Sequence, residues 1–260
     1  MVDLVGRDVA LITSSKLYVL QLTDLHLSAD VNAQFRGVNP YETLKATLAN
    51  SAHQFPWSAV LLTGDLVNDD ARAYALIPPL FASIDAPIYC MPGNHDMPNA
   101  MVAALDSPTF VVNGSGVHDA WLIITLDTSI HSMAAGRLSD AELVRLEATL
   151  SAYPDKYALI ALHHPPVKMD SAWLDAISLQ NAAELFAVLA RHPKVRVVTW
   201  GHAHQQFDAE HGQVSLVCTP ATCVQFKPHT DNFMVDSLSP AYRWFCLKDN
   251  GDVETDVVYI

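Results

Sequence analysis

Six short apolar runs constrain this chain most: Leu17–Leu22, Ala59–Leu62, Pro87–Met91, Trp121–Leu126, Tyr157–Leu162 and Val195–Thr199. Each is nearly continuous in apolarity and does not alternate, the pattern of strands buried on both faces. Helical patterns lie between them. Glu42–His53 places Leu44 and Leu48 four residues apart. Ser139–Ala152 opens on the capping box Ser139-Asp140-Ala141-Glu142 and continues with Leu143, Leu146 and Leu150. Asn181–Arg191 opens on Asn181-Ala182-Ala183-Glu184 and stops before Pro193. Strands alternating with helices predict an α/β layered core.

The last stretch reads differently. Val214–Cys218, Tyr242–Leu247 and Val253–Ile260 are strand-like with no helix between them, and Asn250-Gly251 carries a hairpin signal. Antiparallel strands over about 214–260 are expected to complete a second sheet. No repeat or domain boundary is visible, so residues 1–260 are expected to form a single domain.

The residues just after the runs carry the chemistry. Thr23-Asp24-Leu25-His26 comes after the first, Thr63-Gly64-Asp65 after the second and Pro92-Gly93-Asn94-His95-Asp96 after the third. His163-His164 comes after the fifth, and Gly201-His202-Ala203-His204 after the sixth. Ligand sites in open α/β sheets form at the carboxyl ends of strands, so these groups are expected to converge. Singly, each is ordinary: Gly-Asp is common in turns, and Gly-Asn has turn chemistry of its own. Together they offer hard oxygen and imidazole nitrogen with no thiolate, a set suited to Fe, Mn, Zn or Co rather than Ca or Mg. Seven donors divide between two metals if one carboxylate bridges, and Asp65 is the expected bridge.

Charge and composition narrow the partners. A net charge of −13 opposes a nucleic-acid polymer as partner. It equally opposes an anionic substrate unless bound cations supply local positive charge. Cys90, Cys218, Cys223 and Cys246 form no C-x-x-C pair and are expected to be buried thiols. Near Asp3, Arg7 and Asp8, the run Val9–Ile12 is too short for a signal-peptide core, and no run is long enough to span a membrane. A cytoplasmic protein with no membrane association is expected, and a homodimer is the base-rate assembly.

The order Asp24-x-His26, Gly64-Asp65, Gly93-Asn94-His95-Asp96, His163, Gly201-His202-x-His204 resembles the signature of the calcineurin-like metallophosphoesterases. Thr219–Pro228 and Tyr242-Arg243-Trp244 are similar to segments of the bacterial class III 3′,5′-cyclic-AMP phosphodiesterases. The resemblance implies a four-layer αββα sandwich, two mixed sheets flanked by helices. It implies two divalent or trivalent transition-metal ions per chain, iron, manganese or zinc. Asp24, His26, Asp65 and His204 would hold one ion; Asp65, Asn94, His163 and His202 would hold the other. His164 competes with His163 for the motif's lone histidine.

The implied reaction is hydrolysis of 3′,5′-cyclic AMP to 5′-AMP by a metal-bridging hydroxide. A broader phosphodiesterase, taking 2′,3′-cyclic nucleotides, glycerophosphodiesters or a nucleotide-linked lipid, is the alternative, and a non-catalytic metal-binding scaffold the third reading. Substrate contacts would fall to His26, Asp65, Asn94, His95 and His204. His95 is the expected proton donor to the leaving alkoxide, and Asp96 either orients His95 or caps the next helix. Thr128 and Ser129 sit at the same sheet edge. Phe226 is the first aromatic to consider against an adenine, with core packing as its ordinary use.

Overall fold

The computed structural model describes residues 16–260. The N-terminal expectations on Asp3, Arg7, Asp8 and Val9–Ile12 lie outside the described residues. Among the described residues twelve strands run in chain order: β1 Lys16–Leu22, β2 Ala59–Thr63, β3 Ile88–Met91, β4 Phe110–Val112, β5 Ser115–His118, β6 Trp121–Thr125, β7 Tyr157–Ala161, β8 Val195–Trp200, β9 Phe207–His211, β10 Val214–Cys218, β11 Ala241–Lys248 and β12 Val253–Tyr259. The helices are α1 Pro40–Ser51, α2 Ile77–Phe81, α3 Pro98–Leu105, α4 Asp140–Ala152, α5 Ala172–Asp175 and α6 Ala182–Leu189, with a 3₁₀ turn at Ala71–Leu76.

The strands form two six-stranded mixed sheets, ordered β12-β11-β1-β2-β3-β4 and β5-β6-β7-β8-β10-β9. β1, β2 and β3 run parallel in one sheet and β6, β7 and β8 in the other, so within each sheet their carboxyl ends share an edge. Alternate side chains of β1 separate two layers. Leu17 and Val19 face Trp121, Ile123, Leu159 and Val197 between the sheets. Leu20 and Leu22 pack outward with Leu44, Ile77, Phe81 and Met101 of the helical layer. On the other side Ile124, Ile160, Val198 and Trp200 pack with Leu146, Leu150 and Leu185. The expected helix–sheet–sheet–helix order is therefore present.

The C-terminal strands depart from expectation. Only β10 joins the sheet of β8, while β11 and β12 add antiparallel to the edge of β1 in the other sheet. The physical reason is register: β11 pairs along β1 from Lys16↔Lys248 to Gln21↔Arg243, and covers that strand's otherwise open edge.

Capping matches the sequence in part. Asn39 caps α1 and Ser139 caps α4, its hydroxyl accepting from Glu142 N at 3.1 Å. The Glu142 carboxylate does not close a reciprocal box. It accepts from Asp127 N at 2.9 Å and so ties α4 to the end of β6. Asn181 precedes α6 but caps nothing; its amide pairs with both backbone groups of Leu138. All four cysteines are buried and free. No helix of the described residues is long and apolar enough to cross a membrane.

Candidate metal centre

Turns after β1, β2, β3, β7 and β8 bring Asp24, His26, Asp65, Asn94, His163, His202 and His204 to one place at the shared edge. Five of these, Asp24, His26, Asp65, His202 and His204, have φ between 45° and 65°. Left-handed backbone at a non-glycine residue costs about 1–2 kcal/mol and clusters at functional sites. Their neighbours have no room to relax. Gly64 is at φ +91, and a Cβ there would run into the His163 imidazole and Gly93 N. A Cβ on Gly201 would meet the Thr23 hydroxyl and the Asp24 carboxylate.

The donor atoms fall into two groups sharing one oxygen. In the first, His204 Nε2 lies 3.3 Å from Asp24 Oδ1 and 3.3 Å from His26 Nε2. In the second, His163 Nε2 lies 3.4 Å from Asp65 Oδ2, with His202 beside it at 5.1 Å between ring centroids. Asp65 Oδ2 is also 3.8 Å from His26 Nε2, which makes it the oxygen common to both groups.

The backs of these groups are tied down. His163 Nδ1 pairs with Thr63 O at 2.8 Å and His204 Nδ1 with Val224 O at 2.6 Å. Asp24 accepts from the Thr23 hydroxyl and from His202 N, while Asp65 Oδ1 accepts from His95 N at 2.9 Å. Such backing leaves Nε2 of His163 and of His204 facing the site, whereas His26 Nδ1 is buried without a partner among the described residues. Phe35 stacks on His26 at 4.0 Å and Phe226 on His204 at 3.9 Å, fixing both ring planes. Phe226 is 8% exposed, so its face is spent on His204.

His163 Nε2, His202 Nε2 and Asn94 Oδ1 are buried with no hydrogen-bond partner among the described residues. An unpaired buried polar atom costs about 1–3 kcal/mol. Three of them converging beside a carboxylate fit a pair of cations, and the N/O donor set without thiolate fits transition metals. His164 differs: Nδ1 meets the Thr128 hydroxyl at 2.7 Å and Nε2 meets Ala134 O at 3.2 Å, so both nitrogens are engaged.

The charges are strongly coupled. Burial pulls the His163 and His204 imidazoles down, but Asp65 beside the first and Asp24 beside the second outweigh it, holding them up at about 9 and about 10. Burial dominates at His26 and His202 and pushes both down to about 3. Burial would raise the two carboxylates, yet the adjacent imidazoles hold Asp24 below and Asp65 well below the usual range.

Asp96 does not take either role expected of it. Its carboxylate accepts from Gly93 N at 2.9 Å, Leu66 N at 3.1 Å, Val67 N at 3.3 Å and the Tyr74 hydroxyl at 2.8 Å. It braces the loops after β2 and β3 against each other, and α3 has no side-chain cap. Burial and the Asp65 charge push it up to about 7. The carboxylate on His95 is Asp69, whose Oδ2 lies 3.0 Å from His95 Nδ1. Asp69 stands four residues beyond Asp65 and lacks a distinguishing pattern in sequence. Gln21 is equally silent in sequence: its buried amide links Thr63 to Thr199 and Thr219 across the two sheets beneath the site.

His26, Asp65, Asn94, His95, His202 and His204 line a cleft of about 190 Å³, whose outer wall includes Arg36, Trp173 and Phe233. Asp24 and His163 lie beneath it, fully buried. A second, more polar cleft on the far side of Asn94 includes Ser129.

Residues 17–206 match the calcineurin-like phosphoesterase family, and the chain belongs to it. Within that family, the chain is 38% identical over 246 residues to the 3′,5′-cyclic adenosine monophosphate phosphodiesterase CpdA of Escherichia coli K12, covering 94% of this chain and 90% of that protein. It is 34% identical over 247 residues to the protein of the same name from Pseudomonas aeruginosa, with 94% and 90% covered. Among solved structures, a dimetal phosphatase from Danio rerio superposes with a TM-score of 0.63 at 14% identity, covering 94% of this chain and 98% of that one. That likeness shows the fold, which these proteins share.

Proposed function

We propose that this chain is a metal-dependent phosphodiesterase that hydrolyses 3′,5′-cyclic AMP to 5′-AMP. The relatives named as cyclic-AMP phosphodiesterases support the substrate. The observation that carries the chemistry is that His163 Nε2, 3.4 Å from Asp65 Oδ2, and the neighbouring His202 Nε2 and Asn94 Oδ1 are all buried without a hydrogen-bond partner among the described residues. Asp24, His26, Asp65 and His204 are assigned to one ion, and Asp65, Asn94, His163 and His202 to the other, of iron, manganese or zinc. His163 is preferred to His164 because only His163 keeps an unpaired nitrogen. When bound, such ions polarise phosphoryl oxygens and lower the pKa of water towards about 7.

The chain's own residues do the rest. His26, Asp65, Asn94, His95 and His204 line the cleft where the phosphate sits. His95 is 34% exposed at its side chain and is held at Nδ1 by Asp69, so Nε2 is the atom that meets substrate. Water adds its hydroxyl to phosphorus, the bond from phosphorus to the 3′ oxygen breaks, His95 gives that oxygen a proton, and the proton released by the water restores His95. Asp96 keeps His95 and Asn94 in place through the loop backbone. Both sheets contribute donors, which supports one domain acting as a unit. Four free buried cysteines suit a reducing compartment, and the cytoplasm is the proposed address.

A substrate panel with manganese-loaded protein tests this reading. Turnover of 3′,5′-cyclic AMP should exceed that of 2′,3′-cyclic AMP and glycerophosphodiesters. The reverse order would replace it with the broader phosphodiesterase.

A further inference from the structure

The turn Phe35-Arg36-Gly37-Val38 stands over the cleft. Its ends are closed by Phe35 N to Val38 O at 2.8 Å and Val38 N to Phe35 O at 3.0 Å. Both central residues have positive φ, +52° at Arg36 and +85° at Gly37. Two-residue turns of this kind favour Asn, Asp or Gly at the first position. Arginine there is strained, and strain points to a function for the side chain.

The Arg36 guanidinium lies 4.7 Å from the centroid of the Phe233 ring and 5.7 Å from that of Phe35. Among the described residues it has no carboxylate, carbonyl or hydroxyl partner. Phe233 is 37% exposed and meets Trp173 edge-on at 5.3 Å. Trp173 Nε1 is buried without an acceptor on the same wall. The cleft therefore has a polar floor and a wall offering a planar cation and an exposed ring.

Phe35 stands between the floor and the guanidinium: its ring stacks on His26 at 4.0 Å and its centroid lies 5.7 Å from Arg36. A flat group carried by a phosphate on the floor would meet this wall. Guanidinium planes and aromatic rings both stack on nucleobases.

Resting on the cyclic-nucleotide reading, we propose that Arg36 and Phe233 form a nucleobase clamp at the cleft mouth. The clamp makes the enzyme select nucleotides over phosphodiesters that lack a base.

The test compares 5′-AMP with ribose 5-phosphate as competitive inhibitors of wild type, R36A and F233A; ribose 5-phosphate carries a hydroxyl at C1 where 5′-AMP carries adenine. In both variants the inhibition constant of 5′-AMP and the KM for cyclic AMP should rise about tenfold, a typical loss for a stacking contact. Inhibition by ribose 5-phosphate should change less than about twofold. Equal weakening of both inhibitors would make Arg36 a phosphate contact and overturn the clamp, as would unchanged inhibition by 5′-AMP. Wild-type protein that cleaves bis(p-nitrophenyl) phosphate but leaves cyclic AMP intact would remove the substrate reading instead. The same pair of inhibitors, read against that second reaction, would still decide the clamp.

Discussion

His26 and His204 face each other Nε2 to Nε2 at 3.3 Å, both essentially closed to solvent. Two neutral imidazoles with protons on those atoms would clash. Burial keeps His26 neutral at about 3, while Asp24 overcomes burial and holds His204 up at about 10. In the metal-free protein at neutral pH, His204 is therefore the donor and His26 the acceptor, and His163, at about 9, is likewise protonated.

Metal binding must displace those two protons, because a ligating nitrogen gives up its lone pair. Calorimetry with Mn²⁺ in buffers of different ionisation enthalpy should show about two protons released per chain at pH 7. The raised values set the sign: below about 9 protons compete with the metal, so affinity rises with pH through the neutral range and levels off near 9–10. Affinity independent of pH would contradict this protonation scheme.

Asp65 Oδ2 serves both donor groups, at 3.4 Å from His163 Nε2 and 3.8 Å from His26 Nε2. Asp65→Ala should reduce bound metal to one ion or none and lower kcat/KM by at least about 10²–10³-fold, the scale of losing an electrostatic stabiliser. Metal content by emission spectroscopy, measured beside cyclic-AMP turnover, checks both halves.

His95 is assigned as a ligand to neither ion. His95→Ala should keep its metal content and lose about 10²–10⁴-fold in kcat. Asp69→Ala, which releases His95 Nδ1, should lose about tenfold in kcat, the smaller loss typical of an orienting partner. Steady-state kinetics at fixed metal loading distinguish the two, and a larger loss in Asp69→Ala than in His95→Ala would contradict these roles.

Asp96 is structural in effect. Asp96→Ala strands four donors, Gly93 N, Leu66 N, Val67 N and the Tyr74 hydroxyl, in a buried place. The cost should be about 3 kcal/mol or more, at 1–3 kcal/mol per stranded group with partial relaxation. Urea unfolding measures it. Unchanged stability with lost turnover would return Asp96 to a direct catalytic role.

The strands and the metal motifs are legible for one reason: β1, β2, β3, β6, β7 and β8 are largely buried on both faces, and all but β6 deliver their ligands directly from the strand end. Ser115–His118 and Phe207–His211 sit at sheet edges with mixed polarity, and Phe110–Val112 is an edge strand of three residues, too short for its apolar run to stand out. The sheet chosen by β11 depends on pairing with β1 across more than two hundred residues, which local pattern does not encode. Asp96 departs from expectation for a similar reason. Adjacent in sequence to His95, it turns inward to backbone donors, and Asp69 reaches His95 from another loop.

The most direct test of the binuclear centre is titration of metal-free enzyme with Mn²⁺ while 5′-AMP is measured as the product of 3′,5′-cyclic AMP. Turnover should rise from near zero and saturate at about two equivalents per chain, as a two-metal clamp requires. Full activity without metal, or saturation at a single equivalent, would contradict it.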